Sequence, residues 1–225
     1  LFTHTAQTKT VIEEISGSCR AVVFGSSVFI WRKEKSNMIY FTADTHFGHE
    51  NVIRFCGRPF SCAAEMDEAL IANWNSRVKG NDTVYILGDM FFRSVNFEEI
   101  LKRLKGKKRL IVGNHDGSWM TKADISRYFE SIDKFLETTD GQHALTLCHY
   151  PMVTWKHAGR SYMIHGHIHN DTSMDYWPLL AARDNVLNAG ADINGLMPVT
   201  FDELKENNRN FKRLSAGKEE PHEKI

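Results

Sequence analysis

The chain has 225 residues, enough for one fairly large domain or two small ones, and at 42% hydrophobic and 25% charged its composition is that of an ordinary soluble protein. Lysine plus arginine balances aspartate plus glutamate at 28 each, which excludes a global field for nucleic acid or an anionic membrane. The longest apolar stretch, Ala21 to Trp31, is too short to span a bilayer, is broken by Gly25-Ser26-Ser27, and is followed by no small-residue cleavage pattern.

The four cysteines (Cys19, Cys56, Cys62 and Cys148) form no CxxC pair, and a chain of this length needs no disulfides to hold a core. They read as reduced thiols of a cytoplasmic protein. The 11 histidines are many for this length, and histidine is both the commonest metal ligand and a proton carrier near neutral pH.

Residues 1–37 differ from the rest, with a Thr-rich start, one apolar stretch and a charged run. Two readings are open: an extension with a helix and an added strand, or a natural start at Met38 with the upstream residues an accident of gene assignment. The second is favoured, and the segment is assigned no function. Residues 38–206 read as one domain and the polar residues 207–225 as a loose tail.

Met38 opens a strand, Ile39 to Ala43, followed by Asp44-Thr45-His46-Phe47-Gly48-His49. Ser61 to Val78 is predicted helical, since Met66, Leu70 and Trp74 form a stripe at the helical period. After a turn at Gly80-Asn81-Asp82, Thr83 to Leu87 is a strand ending at Gly88-Asp89. Phe97 to Leu104 is a second helix. The basic run Lys105 to Arg109 reads as a solvated turn whose cations favour the helix carboxyl end, so nucleic acid is not an expected partner. Leu110 to Val112 is a short buried strand leading into Gly113-Asn114-His115-Asp116. Tyr128 to Phe135 has mixed periodicity and suits a helix or an edge segment. Ala144 to Cys148 is a strand ending at His149, and Ser161 to Ile164 one ending in His165-Gly166-His167-Ile168-His169. Val186-Leu187 begins a late strand, and Thr200-Phe201-Asp202-Glu203 is a capping box that opens a short last helix.

One pattern recurs: a short apolar strand ends and a metal-capable residue follows at once, at Asp44, Asp89, Asn114, His149 and His167. Strands alternating with helices imply a parallel or mixed sheet, which brings such ends to one rim. Asp44 and His46 are two apart, as are His167 and His169, and in extended chain such pairs point to one side. Glycines 48, 88, 113 and 166 permit tight turns or close approach. The donors are oxygen and imidazole nitrogen without thiolate, which favours Mn²⁺, Fe or Zn²⁺ in a two-metal site whose ions lie roughly 3.5–4 Å apart.

Asp44-x-His46, Gly88-Asp89, Gly113-Asn114-His115-Asp116, His149 and Gly166-His167-x-His169 together resemble the motif set of the calcineurin-like metallophosphoesterases, in order, from about Met38 to about Leu204. The stretch Thr42 to Phe60 and Cys148-His149-Tyr150-Pro151 resemble a compact bacterial or phage branch. The resemblance implies an α/β fold of two mixed β-sheets packed as a sandwich between helices, four layers in αββα order. It also implies two divalent cations, with Mn²⁺ first and Fe, Zn²⁺ or Ni²⁺ as alternatives. Asp44, His46 and His169 would hold the first cation, Asn114, His149 and His167 the second, and Asp89 would bridge. His115 matches the family's leaving-group histidine, and Asp116 the acid that orients it. The second motif reads Gly88-Asp89-Met90-Phe91-Phe92-Arg93, where Phe92 replaces the second aspartate of the phosphoprotein phosphatase branch. Arg93 falls where an arginine can hold a phosphate oxygen, and His49 and Asn51 are candidates for the substrate side. His165 reads as buried structure, and Asn188-Ala189-Gly190-Ala191-Asp192 as support for the rim.

The chemistry implied is hydrolysis of a small phosphodiester or phosphomonoester, nucleotide-derived esters among the candidates, by a hydroxide held between the cations, with His115 protonating the leaving group. A nuclease with the same centre would want a basic groove, which the sequence does not show. A non-catalytic scaffold would be expected to lose ligands, and the set is complete. A metallo-β-lactamase-like site needs a His-x-His-x-Asp-His run that is missing.

Overall fold

The computed structural model describes residues 37–216 in full, together with the backbone of three strands in the segment before them. That earlier segment is a compact unit by itself. In it β1 (Thr10–Ser16), β2 (Cys19–Phe24) and β3 (Ser27–Arg32) pair antiparallel in sequence order. Three strands therefore stand where one strand and a helix were the sequence-based alternative. Each is built on β-branched residues (Val11-Ile12, Val22-Val23, Val28 and Ile30), which favour a pleated backbone.

The second unit begins at Met38 and carries two four-stranded sheets. The first contains β4 (Ile39–Thr42), β5 (Thr83–Ile86), β6 (Lys107–Ile111) and β7 (Ser131–Asp133), in that order and all parallel. The second contains β8 (Phe135–Thr139), β9 (Ala144–Cys148), β10 (Tyr162–His165) and β11 (Val186–Asn188), in the order β11-β10-β9-β8. Only β8 and β9 are antiparallel. One sheet is thus parallel and one mixed, rather than both mixed. Parallel neighbours need crossover connections, and helices supply them in the first sheet. There α1 (Glu50–Cys56) and α2 (Ala63–Arg77) join β4 to β5, and α3 (Phe97–Arg103) joins β5 to β6. The short helix α4 (Gly117–Met120) follows β6, and α5 (Trp177–Ala181) lies between β10 and β11. The ambiguous stretch before Phe135 resolves into a 3-10 turn at Ile125–Tyr128 and the edge strand β7.

Alternation along the strands builds the layers. Tyr40, Val84, Ile86 and Leu110 face Met66, Leu70, Trp74, Ile100 and Trp119 of the helices. Their neighbours Phe41, Tyr85, Leu87 and Ile111 face Leu145, Leu147, Ile164 and Leu187 across the space between the sheets. Met163 and Val186 point the other way, to Trp155, Trp177 and Leu180. Three cores separate four layers, and strands buried on both faces read as unbroken apolar runs.

Two polar stretches behave otherwise than their composition suggests. Lys107, Lys108 and Arg109 belong to β6 rather than to a turn. Lys108 is buried, and its ammonium donates to the carbonyls of Leu104 (2.7 Å) and Gly106 (3.0 Å), which satisfies the open end of α3. The last helix, α6 (Phe201–Ala216), runs well into the expected tail, of which 217–225 lie outside the described residues. Glu203 reaches back to the Thr200 amide at 2.9 Å, as a capping box requires. Asn208 accepts from the Asn188 amide at 2.7 Å and donates to the Asn188 carbonyl at 2.9 Å, while Lys212 donates to the Val186 carbonyl at 2.8 Å. Polar side chains of α6 thereby close the free edge of β11, which hydrophobic periodicity does not register.

Asn208→Ala should destabilise the protein by about 1–3 kcal/mol, since it leaves the buried Asn188 amide of β11 unpaired, whereas the exposed Asn210→Ala should stay within about 0.5 kcal/mol. Urea unfolding of the two variants checks this, and equal stability would show that the edge contacts carry no weight.

Candidate metal centre

The seven residues expected as ligands all lie at carboxyl ends of strands. Asp44 and His46 follow β4, Asp89 follows β5, Asn114 follows β6, His149 follows β9, and His167 and His169 follow β10. Because β4, β5 and β6 are parallel, as are β9 and β10, these ends reach one rim. Backbone bonds stitch the rim together: the Asp44 amide donates to Gly88 at 3.0 Å, the His46 amide to Asp89 at 3.1 Å, and the Ala191 amide to Ala43 at 2.9 Å.

The i, i+2 pairs do not meet through extended chain. Asp44, His46, Asp89, His167 and His169 have φ of 54, 51, 52, 73 and 50°, in the left-handed region. Non-glycine residues enter that region rarely and at about 1–3 kcal/mol each, and such residues cluster at functional sites. The alternating left-handed residues curl each loop so that both side chains of a pair turn inward.

Two groups of ligand atoms result, Asp44 with His46 and His169, and Asp89 with His149 and His167, the atoms of each within 4.8 Å of one another. In the first, His46 Nε2 lies 3.2 Å from His169 Nε2. His169 Nδ1 donates to Asp192 Oδ2 at 2.7 Å, which fixes the tautomer and leaves Nε2 for a ligand. Asp44 Oδ2 accepts from the His167 amide at 2.8 Å, but Asp44 Oδ1 is buried without a partner among the described residues. Burial pushes the Asp44 carboxyl up to about 7.

In the second group, His149 Nδ1 donates to the Leu87 carbonyl at 2.7 Å, so Nε2 faces Asn114 Oδ1 at 3.0 Å and Asp89 Oδ2 at 3.5 Å. His167 Nδ1 is 3.1 Å from the same Asn114 oxygen. Asp89 Oδ2 is also 3.8 Å from His46 Nε2, so it stands between the groups. Burial works against the Asp89 carboxylate, but the His149 ring, the His115 backbone amide and the His46 ring outweigh it and hold the carboxyl at about 2. Lone pairs converging on one another, beside an orphaned buried carboxylate oxygen, fit divalent cations.

The shell around these groups is partly unforeseen. Arg58, buried, donates through Nε to Asp192 Oδ1 (2.7 Å) and through its terminal nitrogens to the carbonyls of Asp44 (2.7 Å) and Thr45 (2.8 Å). Asn188 Nδ2 donates to the His169 carbonyl at 2.8 Å, so the Asn188–Asp192 stretch supports the rim as expected. Despite its own burial, His169 is raised to about 10 by Asp192, Cys56 and Asp44, and a cation at Nε2 would take the place of that proton. Arg58 escaped sequence reading because a single arginine in a Gly-Arg-Pro loop carries no spacing signal.

Asp116 requires a correction. It does not hold the His115 ring. Its carboxylate accepts from the amides of Asp89 (2.9 Å), Met90 (3.0 Å) and Gly113 (2.8 Å) and from the Trp119 indole (2.9 Å), and is fully buried. With every acceptor site turned to the loops, none is left for an imidazole. His115 is held instead at its backbone, whose amide donates to Asp89 Oδ1 at 2.8 Å, and its ring packs 5.5 Å from His46 and 5.1 Å from Phe92. Gly113 serves close approach rather than bending: a Cβ there would meet the Asp89 carboxylate, and the Asp89 amide nitrogen at 2.6 Å.

Above the ligands opens a cleft of about 1120 Å³. His49, Asn51 and Arg93 all line it, with His115. His49 stacks on Phe92 at 3.9 Å, and the Arg93 guanidinium lies 5.3 Å from the centroid of the same ring. His165 is buried, its Nδ1 bonded to the Gly166 carbonyl at 2.8 Å, in a structural role as expected. Among the described residues no helix is long and apolar enough to cross a membrane.

The chain belongs to the calcineurin-like phosphoesterase family, whose sequence pattern matches residues 38–217. An uncharacterized protein of Methanocaldococcus jannaschii is 32% identical over 167 residues, 73% of this chain and 87% of that one. The gene 66 protein of Mycobacterium phage L5 is 26% identical over 190 residues, 65% of this chain and 91% of that one. The crystal structure of a protein of unknown function from Aquifex aeolicus aligns with a TM-score of 0.60 at 26% identity, covering 76% of this chain and 99% of that one. These relatives are spanned nearly end to end, so the likeness is to compact family members.

Asp192→Asn, which weakens the hold on His169 while keeping its shape, should lower divalent-metal affinity about 10–100-fold. Competition with a chromogenic chelator measures this, with circular dichroism to show an intact fold; unchanged affinity would remove Asp192 from the support of the centre.

Proposed function

We infer that the chain is a phosphoric ester hydrolase with two divalent cations, acting on a phosphodiester or phosphomonoester in the cytoplasm. Asp44, His46 and His169 would hold one cation, Asn114, His149 and His167 the other, with Asp89 shared. The observation that carries this reading is the pair of ligand groups meeting at Asp89 Oδ2 on the floor of an open cleft. Nitrogen and oxygen donors without a thiolate favour Mn²⁺, then Fe, Zn²⁺ or Ni²⁺. Such a pair, when bound, lowers the pKa of water and offsets charge on phosphoryl oxygens.

The protein's own groups do the remainder. Arg93, His49 and Asn51 line the cleft where a substrate enters, and Arg93 can hold a phosphoryl oxygen through its planar fork. The left-handed φ of 53° at Arg93 holds it in a conformation that a flexible surface arginine would not need. His115 faces the cleft with 41% of its side chain exposed, and its Nε2 lies 3.9 Å from Asp89 Oδ2. It is placed to carry a proton to the departing oxygen, which a poor leaving group requires. Asp116 takes no part in that transfer; it fixes the loops from which Asp89 and His115 project.

Metal analysis of the purified protein, followed by a Mn²⁺-dependent comparison of bis-(p-nitrophenyl) phosphate with p-nitrophenyl phosphate, tests the reading. Bound divalent metal and hydrolysis of at least one ester are expected; neither metal nor activity would leave the fold without this chemistry. His115→Ala should lower turnover about 10²–10⁴-fold while metal content stays at the wild-type level. Loss of metal in that variant would move His115 from proton carrier to ligand support.

A further inference from the structure

Arginines in this fold are nearly all engaged. Among the described residues, Arg58, Arg77, Arg103, Arg109, Arg127, Arg160, Arg183, Arg209 and Arg213 each hydrogen-bond through the guanidinium to an acid, a carbonyl, an amide or a ring nitrogen. Arg54 and Arg93 have no such partner among the described residues, and both line the cleft that His46, His167 and His169 also line. Asp171 shares that lining as an anion, its Oδ1 accepting from the amide and hydroxyl of Ser173 at 2.8 and 2.7 Å and forming no ion pair with either arginine. The same cleft is walled by Phe55, a phenylalanine left 68% exposed.

The two arginines stand in different places. Arg93 lies over Phe92, which packs against His115, so it belongs to the floor. Arg54 lies 5.4 Å from the Phe55 ring in the last turn of α1. The next residue, Cys56, places this wall against the other flank: its Sγ is 3.4 Å from His169 Nδ1, and its carbonyl accepts from Asn170 Nδ2 at 3.0 Å. A phosphoryl group held on the floor with Arg93 leaves Arg54, over one face of Phe55, for a second anion, and the opposite face of this exposed ring for a flat group. The cavity, at about 1120 Å³, exceeds the common range for a drug-sized ligand, roughly 300–1,000 Å³, and so has room for both.

We propose that Arg54 and Phe55 form a second substrate subsite that selects nucleotides with more than one phosphate, the base stacking on Phe55 and the additional phosphate meeting Arg54. A flat ring and two neighbouring anionic groups in one molecule define that class. The position of the scissile phosphate rests on the hydrolase reading; the recognition of ring and second anion does not.

The test is therefore a binding measurement. Three ligands that resist hydrolysis are titrated calorimetrically into the Mn²⁺-loaded protein, with Mn²⁺ in all solutions: α,β-methylene-ADP, the 5′-phosphonate analogue of AMP, and methylphosphonate. The adenine and the second phosphate should each strengthen binding about tenfold, as stacking and a charge-assisted bond do elsewhere. Phe55→Ala should weaken both adenine ligands about tenfold and leave methylphosphonate unchanged, and Arg54→Ala should erase only the preference for the second phosphate. Affinities of the three ligands within twofold, no binding of α,β-methylene-ADP, or variants that weaken all three alike would overturn the proposal. If the binding pattern holds while neither chromogenic ester is cleaved, the subsite stands and the hydrolase reading falls. If esters are cleaved without ligand discrimination, the reverse follows.

Discussion

The Asp116 carboxylate receives four hydrogen bonds in a place without solvent, three of them from the backbone amides of Asp89, Met90 and Gly113. One side chain thereby fastens the loop after β5 to the loop after β6. Burial raises its carboxyl pKa, and the amides and the Trp119 indole pull the other way. An anion buried here without those donors would cost several kcal/mol, so the loops cannot drift apart cheaply. Asp89 keeps its left-handed backbone because its own amide and that of its neighbour are both held. Gly113 must be glycine because the two loops are drawn into contact at its Cα. The geometry of Asp89, Asn114 and His115 follows from this fastening.

Arg58 does the converse on the other side. It is a buried cation that gathers acceptors: the carbonyls of Asp44 and Thr45, and the carboxylate of Asp192. Through Asp192 it reaches His169, so the loop after β4 and the loop after β10 share one support. A buried ion pair is an uncertain source of stability, because desolvation offsets much of the attraction. Its consequence here is orientation: with Nδ1 of His169 committed, Nε2 must face His46. The rim is thus held by a carboxylate that collects amides and a guanidinium that collects carbonyls, and neither belongs to a ligand group.

The strands and their polar ends were legible because both rest on local signals. A doubly buried strand reads as an apolar run, and a metal-capable residue just past its end interrupts that run. The rim of metal-capable residues followed from it, whereas the division into two ligand groups and the sandwich of sheets came from the resemblance of those motifs to a known family. What was not legible depends on partners distant in sequence. The family resemblance implied that Asp116 orients the His115 imidazole, but its acceptors turn toward a loop 26 and 27 residues earlier. Arg58 and Asp192 lie 134 residues apart. The far half of α6 looked like a tail because Asn208 and Lys212 are polar, yet they are spent on the free edge of β11. That the first sheet is parallel throughout and the second mixed rests on which strands pair across the fold, which alternation of strands and helices leaves open between parallel and mixed.

Helix α1 was missed for a different reason, one that bears on what the site selects. Periodicity detects a helix through the face it buries. Only Val52 of α1 is buried, so there is no stripe to detect. The side chains that a packed helix would turn inward are in this case turned toward the cleft, among them Arg54 and Phe55. Ligands on the floor are fixed by strand ends, and any change there disturbs the sheets beneath them. The α1 wall is anchored by Val52 in the helix-side core and, at its end, by Cys56 against His169 and by the Cys56 carbonyl to Asn170, while Arg54 and Phe55 belong to no core. Its outward residues can change without disturbing a core, which makes that wall the part of the cleft where selectivity can vary while the chemistry below stays the same.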